Sequence, residues 1–497
     1  MKLLHEILGN ADVVHVSGDK DVPIQGITYD SRRVEQGYLF VAIPGEKRDG
    51  HDFVDQAVGR GAVAVAVQRD VSVPESVTVV KVGDSRKALA DLSASFWDNP
   101  SSKMKLIGVT GTNGKTTTTH LIKAIIEAGG HPTGLIGTIH NMLGDRVEKA
   151  IHTTPESSDL QALLRRMLDL GISHAVMEVS SHSIVLERIR GLDFDIGVFT
   201  NITQDHLDFH GTFENYLDAK ARFFQDLGTQ EGSKSGKKYA IVNVDDPNSD
   251  TIMKRATVPV VTYGLERSAD VVAEDVRLSM HGLSYKAKTA QGQVQIDMKL
   301  AGRFNVYNSL AAVASGVTLG IPLADIEKGL HGAAGVPGRF ETVDNGQDFT
   351  VIVDYAHTPD GLENILRSAR EFTRGKVIVV FGCGGDRDRG KRPIMGAIAS
   401  RLADHIVITS DNPRSENPEA IAKEIEIGVV SAGKSPGDYE IILDRKEAIR
   451  RAIGLAAARD TVIIAGKGHE TYQIFRDRTI DFDDRLVARE ILQEGRV

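Results

Sequence analysis

The sequence contains very little cysteine, and this scarcity excludes several kinds of protein. Cys383 is the single cysteine among 497 residues. No disulfide can therefore form within the chain, and no structural zinc site can be built on several thiolates. A chain of this kind suits a reducing compartment, so we expect a cytoplasmic protein.

Long apolar runs and basic runs are also absent. No segment offers the roughly 18 consecutive apolar residues that a membrane-spanning helix needs. The first stretch, "MKLLHEILGNADVV", carries acidic residues, which is not the pattern of a signal peptide. Acidic and basic residues are interspersed with a net charge of −9. We therefore expect no nucleic acid and no membrane among its partners. Nothing in the sequence demands more than a monomer.

The chain length and the order of patterns indicate about three α/β domains. Residues 1–98 contain short β-like runs such as "GYLFVAI", and "NPSS" then supplies a linker. In residues 99–335 and 336–497, strand-like runs alternate with helical patterns, which predicts parallel sheets covered on both faces. The last region has a Rossmann-like order, with helices predicted near 393–403, 418–428 and 445–458.

The stretch "GVTGTNGKTTTTH" predicts a phosphate-binding loop, although Val109 stands where the first glycine of the usual pattern belongs. An apolar strand enters the loop and a helical pattern leaves it, so backbone N–H groups and the helix N-terminus can face a polyphosphate. Lys115 can reach the outer phosphates, and the Thr116 hydroxyl can ligate Mg²⁺. The alternative is a glycine-rich turn with a solvated lysine. The predicted nucleotide contacts in the loop are Gly111, Thr112, Asn113, Gly114, Lys115, Thr116 and Thr117.

A later helical pattern carries a lysine within its apolar stripe. The stripe consists of Phe213, Leu217, Lys220, Phe224 and Leu227. Burial would lower the pKa of Lys220. The neutral amine could then take up CO₂ as a carbamate, whose oxygens suit Mg²⁺. The alternative is a lysine that snorkels to solvent or pairs with Asp218 or Asp205.

Oxygen and nitrogen ligands are predicted near the phosphate loop. "HAVMEVSSHS" ends a strand close to Glu178, where a carboxylate suits either a metal ion or an ordinary ion pair. "DHLDFH" adds Asp205, His206, Asp208 and His210. A phosphate loop, an acid and an unusual lysine within one domain predict metal-assisted phosphoryl transfer.

Motifs along the whole chain resemble the Mur ligase family of peptidoglycan synthesis. They are "GTNGKTTT", "HTTPES", "MEVSSH", "FTNITQDHLDFHG", "YLDAKARFF", "GRFNVYN", "PGRFE", "DYAHTPDGL" and "GKGHE". "SDNPRSENP" resembles the signature of the members that add meso-diaminopimelate. The resemblance implies an N-terminal UDP-sugar-binding domain (1–98), a central ATP-binding domain (99–335) and a C-terminal domain that binds the amino acid (336–497).

The resemblance also implies a ligase reaction with ATP as co-substrate. ATP would phosphorylate the γ-carboxylate of D-glutamate in UDP-N-acetylmuramoyl-L-Ala-D-Glu, and the amine of meso-diaminopimelate would then displace phosphate. Two Mg²⁺ ions are implied. Thr116 would hold one, and the other would lie on Glu178, His206 and the CO₂-derived carbamate of Lys220. The implied catalytic residues are Lys115, Glu178, His206 and Lys220.

Further substrate contacts are implied by the same resemblance. Those to the nucleotide are Asn305, Arg339 and Asp354. Those to the sugar-peptide are Ser31, Thr153, Thr154, Ser180 and Arg188. Those to the amino acid are Arg387, Asp411, Asn412, Pro413, Arg414, Gly466 and Glu470, with Glu470 suited to an ammonium group.

Arg414 is the residue that decides the amino acid. Its guanidinium can bind bidentately the second carboxylate that diaminopimelate has and lysine lacks. "DNPR" also suits a turn before a helix that begins at Asn417-Pro418, and both interpretations can hold together.

Three other functions remain open. The first is a Mur ligase that adds L-lysine, which Arg414 disfavours. The second is a folylpolyglutamate synthase, a related type that lacks the N-terminal domain. The third is a P-loop switch without ligase activity, which would need neither Arg414 nor Lys220.

Overall fold

The computed structural model describes residues 1–9, 11–45, 48–228, 236–280, 282–333 and 335–495. All the predicted site residues lie within these ranges. Within them, no helix combines the length and the apolarity that crossing a bilayer requires.

The N-terminal part of the chain forms a small sheet of its own. Its order is β2-β7-β6-β5-β4, with β2 antiparallel to β7 and the other pairs parallel, while β1 and β3 form a separate pair. The strands are Lys2–Leu3 (β1), Val13–Ser17 (β2), Pro23–Ile24 (β3), Gly26–Thr28 (β4), Tyr38–Val41 (β5), Ala62–Val67 (β6) and Thr78–Val82 (β7). The helices are Leu4–Leu8 (α1), Val54–Gly59 (α2) and Ser85–Phe96 (α3).

The central part forms a large sheet with the order β11-β10-β9-β12-β8-β13-β14-β15-β16-β17-β18 over the described residues. The strands are Lys105–Thr110 (β8), Thr133–Ile136 (β9), His140–Leu143 (β10), Arg146–Lys149 (β11), His174–Glu178 (β12), Ile196–Phe199 (β13), Tyr239–Asn243 (β14), Val260–Gly264 (β15), Val271–Ser279 (β16), Gly282–Thr289 (β17) and Gly292–Met298 (β18). The helices are Lys115–Ala128 (α4), Ser157–Asp169 (α5), Ser181–Val185 (α6), Leu207–His210 (α7), Phe213–Asp226 (α8), Ser249–Arg255 (α9), Arg303–Thr318 (α10) and Leu323–His331 (α11).

Helices cover both faces of the central sheet, as its apolar strands require. Leu121 of α4, Val306 of α10 and Ile326 of α11 belong to the core on one face. Leu160 of α5 and Phe224 of α8 belong to the core on the other. In sheet order, the seven strands β9-β12-β8-β13-β14-β15-β16 are parallel to one another. The carboxyl ends of β8, β12 and β13 therefore meet at one edge. That edge is where ligands bind in open α/β sheets.

The C-terminal part forms a third sheet, with the order β19-β20-β24-β21-β22-β23 and only β19 antiparallel within it. The strands, including a separate β25-β26 hairpin, are Glu341–Thr342 (β19), Thr350–Asp354 (β20), Val377–Phe381 (β21), His405–Ile408 (β22), Tyr439–Ile441 (β23), Thr461–Ala465 (β24), Tyr472–Ile474 (β25) and Thr479–Asp481 (β26). The helices are Pro359–Phe372 (α12), Lys391–Leu402 (α13), Pro418–Ser431 (α14), Arg445–Leu455 (α15) and Asp484–Glu494 (α16).

Local sequence explains where several of these helices begin. The side chain of Thr358 accepts from the backbone N–H of Gly361, and that of Asn417 accepts from Glu419 N–H. A proline follows each of these caps, because it has no N–H to leave unsatisfied. The predicted turn-and-cap interpretation of "DNPR" and the residues after it is therefore confirmed.

The predicted α/β class and the three helices of the C-terminal region are confirmed. The sequence argument did not anticipate the antiparallel hairpins β10-β11 and β16-β17-β18. The predicted linker contains a short 3₁₀ helix, Pro100–Lys103, preceded by Asn99 with φ 47°. The domain boundaries after residues 98 and 335 stay predictions.

Candidate active site

The phosphate loop lies between the carboxyl end of β8 and the start of α4. Asn201, which follows β13, holds its backbone: its carbonyl accepts from Thr112 N–H at 2.8 Å, and its Oδ1 accepts from Asn113 N–H at 2.9 Å. Gly111 has φ 151°, and a Cβ there would lie 1.9 Å from the Thr200 hydroxyl oxygen. The loop therefore requires glycine at 111, and it lines a cavity of about 560 Å³.

Glu178, the last residue of β12, lies beside this loop and is fully buried. Its Oε2 accepts from the Thr116 hydroxyl at 3.1 Å and from the Thr138 hydroxyl at 3.0 Å, and its Oε1 accepts from Thr138 N–H at 2.8 Å. The alternative of an ordinary ion pair is wrong in this structure, because these partners are uncharged. A buried carboxylate with a threonine hydroxyl beside it fits Mg²⁺, which commonly uses few protein oxygens together with substrate phosphates.

Lys115 and Lys220 place their amines on the same carbonyl oxygen, that of Gly111, at 2.8 and 2.9 Å. Burial lowers the pKa of Lys115. Burial and then the charge of Lys115 lower the pKa of Lys220 well below its usual value, against a smaller opposing effect of Asp205. Two ammonium groups on one oxygen repel each other, so the site favours a neutral amine at Lys220.

The snorkelling interpretation of Lys220 is wrong, because the residue is only 1% exposed. The predicted pairing with Asp218 is also wrong. Asp218 accepts instead from Arg255 at 2.8 Å. The apolar stripe is confirmed in its middle, since Phe224 is buried on the same helix.

His206 lies at the start of α7, where the charges of Lys115 and Lys220 each act to lower its pKa. Burial lowers its pKa to about 3, with Asp205 opposing. Burial alone would raise the pKa of Asp205, but His206, His357 and Lys391 bring it below its usual value. The lowered pKa favours the neutral imidazole of His206, which retains a lone pair for a ligand. Within the part of the chain that the structure describes, no three His, Cys, Asp or Glu side chains form a metal site by themselves.

The C-terminal domain closes the cavity from the other side. Arg339 donates to the Thr116 hydroxyl at 3.2 Å, and its guanidinium lies 4.4 Å from the ring centroid of Tyr355. Asp360 accepts from Asn113 Nδ2 at 2.6 Å. The phosphate loop is thus in contact with residues of both the central and the C-terminal domain.

Of the predicted nucleotide residues, Asp354 lines the cavity, whereas Asn305 contacts a neighbour that lines it. Both carboxylate oxygens of Asp354 accept backbone N–H groups, from Phe340 at 2.6 Å and Ala356 at 2.7 Å, and burial raises its pKa. Asn305 does not line the cavity. The Oδ1 of Asn305 accepts from Asn308 Nδ2 at 2.9 Å, and Asn308 in turn lines the cavity.

The predicted sugar-peptide residues divide into two groups. Thr153 and Ser180 line the cavity. Thr154 lies behind them, donating to the Glu178 carbonyl at 2.8 Å and accepting from Ser180 N–H at 3.1 Å. Ser31, in the N-terminal domain, donates to Gln56 Oε1 at 2.8 Å, and Arg188 binds Glu156. Neither Ser31 nor Arg188 lines the cavity.

The predicted amino-acid residues form a second cluster, at the carboxyl ends of β22 and β24. Asn412 donates to Glu470 Oε2 at 2.8 Å, and its carbonyl accepts from Gly385 N–H at 2.9 Å. Arg414 Nη1 donates to the Gly385 carbonyl at 2.7 Å. Pro413 is buried between them, whereas Arg387 is exposed and donates to the neighbouring Asp386 carbonyl.

Glu470, which is predicted to suit an ammonium group, already accepts from the amine of a lysine in this structure. Lys467, fully buried, donates to Glu470 Oε2 at 2.8 Å and to Asn412 Oδ1 at 3.1 Å. Within this cluster, Asp411 Oδ2 is a buried carboxylate oxygen without a hydrogen-bond partner among the described residues. Gly466 lies against it, since a Cβ there would approach that oxygen to 2.6 Å.

Sequence reasoning missed several residues that line the cavity or the cluster. They are Thr138, Asn308, His357, Asp360 and Lys467. Asn308, His357, Asp360 and Lys467 lie within motifs quoted above, "GRFNVYN", "DYAHTPDGL" and "GKGHE". A count of every polar residue in those motifs could have found them, whereas Thr138 has no such signal.

Comparison with known proteins gives one consistent result. Three family models match consecutive parts of the chain: Mur ligase family, catalytic domain (23–97), Mur ligase middle domain (109–316) and Mur ligase, glutamate ligase domain (338–468). The UDP-N-acetylmuramoyl-L-alanyl-D-glutamate--2,6-diaminopimelate ligase of Geobacillus thermodenitrificans (strain NG80-2) is 51% identical over 483 residues, covering 97% of each chain.

Solved structures agree with this. A structure of a UDP-N-acetylmuramoyl-L-alanyl-D-glutamate--2,6-diaminopimelate ligase is 32% identical, covers 100% of both chains and has a TM-score of 0.69. The MurF ligase from Thermotoga maritima in complex with ADP, 19% identical with a TM-score of 0.64, covers 96% of this chain and 98% of its own and shares the fold. With its phosphate loop, buried carboxylate and paired lysines in one cavity, the chain belongs to the Mur ligase family.

Proposed function

We propose that this protein is an ATP-dependent ligase that adds meso-2,6-diaminopimelate to UDP-N-acetylmuramoyl-L-Ala-D-Glu, a step of cytoplasmic peptidoglycan precursor synthesis, and that it acts as a monomer. The observation that carries the proposal is the cavity at the carboxyl ends of β8, β12 and β13, which brings together the phosphate loop, Glu178 and Lys220. The names and identities of the relatives support the same reaction.

The first step is transfer of the γ-phosphoryl group of ATP to a carboxylate oxygen of D-glutamate, which releases ADP. The backbone N–H groups of 114–117, the amine of Lys115 and the guanidinium of Arg339 would face the transferred group and offset its negative charge. Asn201 and Asp360 hold the loop in position, so little rearrangement is needed when the charge develops.

The second step is attack by the substrate amine on the acyl phosphate carbon. An amide bond forms, the C–O bond to phosphate breaks, and the proton lost by the amine leaves with solvent or phosphate. Activation is needed because a free carboxylate is a poor electrophile, whereas phosphate is a good leaving group.

The residues present fit magnesium. Thr116 and Glu178 would hold one ion, and Glu178, His206 and a carbamate on Lys220 would hold the other. The carbamate forms when the neutral amine takes up CO₂ and loses one proton. Bound magnesium supplies charge neutralisation between ATP and the carboxylate it phosphorylates.

Selection of the amino acid rests on the cluster around Arg414. A guanidinium fork matches a carboxylate bidentately, and a site arranged around that contact discriminates strongly against an analogue that lacks the carboxylate. Asp411 Oδ2, buried and unpartnered among the described residues, is suited to accept from an ammonium group, while Glu470 would do so in competition with Lys467.

The test is ADP release with ATP, Mg²⁺ and UDP-N-acetylmuramoyl-L-Ala-D-Glu, comparing meso-diaminopimelate with L-lysine. Turnover that requires diaminopimelate supports the proposal. Turnover with lysine alone would replace the amino acid but keep the ligase. ATP hydrolysis that needs neither acceptor nor amino acid would favour a P-loop switch.

A further inference from the structure

Glu156, in the "HTTPES" stretch, has no role in the reaction described above. It lies just before α5 and is 6% exposed, yet its side chain does not cap the helix. A carboxylate that is buried without capping a helix must be paired elsewhere, and both of its oxygens face arginines.

One of these arginines is Arg188, a predicted contact to the sugar-peptide. Its Nε donates to Glu156 Oε1 at 2.9 Å, its Nη2 lies at the same distance from that oxygen, and its Nη1 donates to the Thr154 carbonyl at 3.2 Å. These contacts fix the plane of the guanidinium and leave further N–H groups for an anion.

The other arginine comes from the N-terminal domain. Arg86 on α3 places Nη1 3.4 Å from Glu156 Oε2, and its Nη2 donates to the Pro44 carbonyl at 3.2 Å. The Glu156 carboxylate thus links two groups. One is Arg86 of the N-terminal domain, which is expected to bind the UDP group, and the other is Arg188, which is expected to contact the sugar-peptide.

The negative charge of Glu156 compensates the positive charges of Arg86 and Arg188. The side chains of Glu156, Arg188 and Arg86 are 8%, 15% and 17% exposed. Removing one member of so buried a group leaves the others uncompensated. Arg188 without its carboxylate would lose its fixed orientation toward an anionic substrate.

We propose that Glu156 is a positioning residue that orients Arg188 for the anionic UDP-sugar dipeptide and links that orientation to the docking of the N-terminal domain through Arg86. The proposal rests on the proposed function, since it names a determinant of the same acceptor site.

The chain offers a matched control on the same helix. Asp91, also on α3, accepts from Arg190 Nε at 2.9 Å and forms a second ion pair between the N-terminal and central domains. Asp91→Asn therefore weakens domain docking without touching Glu156 or Arg188.

The experiment measures KM for UDP-N-acetylmuramoyl-L-Ala-D-Glu, ATP and meso-diaminopimelate, and Kd for the UDP-sugar dipeptide by calorimetry. Glu156→Gln keeps the shape and one acceptor oxygen but removes the charge, and it should raise KM and Kd for the dipeptide about fivefold or more. Arg86→Gln should raise them about twofold. Asp91→Asn should leave both values at the wild-type level. The other two KM values and kcat should change little in all three variants.

Unchanged dipeptide KM and Kd in Glu156→Gln would overturn the proposal. An equal rise in Asp91→Asn would do so too, because domain docking alone would then explain the effect. A Glu156→Gln protein that does not fold leaves Arg86→Gln to decide, since that variant keeps the Glu156–Arg188 contact, and an unchanged dipeptide Kd there would overturn the link to the N-terminal domain. An inactive wild-type protein that still binds the dipeptide would count against the proposed function, and the Kd comparison would still test Glu156.

Discussion

At the scale of single residues, the amines of Lys115 and Lys220 are the most informative pair. Both donate to the Gly111 carbonyl, and both have lowered pKa values because they are buried. The electrostatic repulsion between two buried lysines is removed when one of them is neutral. The proposed carbamate on Lys220 would go further by placing a negative charge beside Lys115.

Replacing Lys220 by alanine tests this arrangement. The variant removes the amine that would form the carbamate, so kcat should fall about 100-fold or more. Formate added to the assay should restore part of the rate, because a small carboxylate can occupy the space and supply the missing oxygens. A variant with undiminished kcat, or one that formate does not help, would contradict the role given to Lys220.

Arg414→Lys tests selection of the amino acid. Arg414 has φ 52°, and lysine meets the same backbone strain there, so the exchange isolates the loss of the fork. The value of kcat/KM for meso-diaminopimelate should fall about 100-fold, while KM for ATP stays constant. An unchanged kcat/KM would show that another group binds the second carboxylate.

At the scale of elements, the ends of parallel strands determine both clusters. The phosphate loop follows β8, Glu178 ends β12, and Asp411 and Gly466 follow β22 and β24. Because parallel strands present their carboxyl ends at one edge, each sheet delivers its functional residues to one place.

Gly466→Ala tests how tightly the second cluster is built. Gly466 has φ 115°, and an added Cβ would meet Asp411 Oδ2 at 2.6 Å. The free energy of unfolding should fall by about 1–3 kcal/mol, and KM for meso-diaminopimelate should rise.

Gly454→Ala is the control for this variant. Gly454 lies in α15 with open space around its Cβ position, so alanine should be neutral or stabilising by up to about 1 kcal/mol. Urea unfolding of both variants gives the comparison. Equal stability of the two variants would contradict the close packing inferred at Gly466.

At the scale of the whole molecule, partly buried histidines with lowered pKa values make stability depend on pH. Burial, followed by the nearby charge of Lys391, lowers the pKa of His357 from its ordinary 6.5 to about 4, with Asp205 opposing. Between pH 4 and 6.5 the unfolded chain therefore binds more protons at this residue than the folded one. Stability from this group is complete above pH 6.5 and is lost as pH falls toward 4.

His357→Gln should remove this dependence. Between pH 7 and pH 5 the wild type should lose about 2 kcal/mol more than the variant in its free energy of unfolding, measured in urea. Other partly buried histidines, such as His469 with a pKa lowered to about 3, change both proteins alike. An identical difference between the two proteins at pH 7 and pH 5 would contradict the burial of a neutral His357.

The sequence predicted the parts of this molecule that depend on local pattern. The phosphate loop, the buried Lys220 and the cap at Asn417 follow from glycine spacing, helical period and N-cap chemistry. Glu178 could be placed because a strand leads into it. Each of these features is written within about twenty residues.

Contacts between domains could not be predicted in this way. Arg339 reaches Thr116 across 223 positions, and Asn113 reaches Asp360 across 247. Such pairs depend on how finished domains pack. The pairing of Lys467 with Glu470 was missed for another reason. Their spacing of three is visible in the sequence, but only the folded structure shows that Lys467 is fully buried and that little solvent competes with the pair.

The central claim is that the cavity activates a carboxylate with ATP so that an amine can join it. The most direct measurement uses UDP-N-acetylmuramoyl-L-Ala-D-Glu labelled with ¹⁸O at both oxygens of its γ-carboxylate, together with ATP, Mg²⁺ and meso-diaminopimelate. Mass spectrometry of the products should find one ¹⁸O in each inorganic phosphate and one in the new amide, because the carboxylate oxygen that is phosphorylated leaves with phosphate. Unlabelled phosphate, with or without ADP release, would contradict the account.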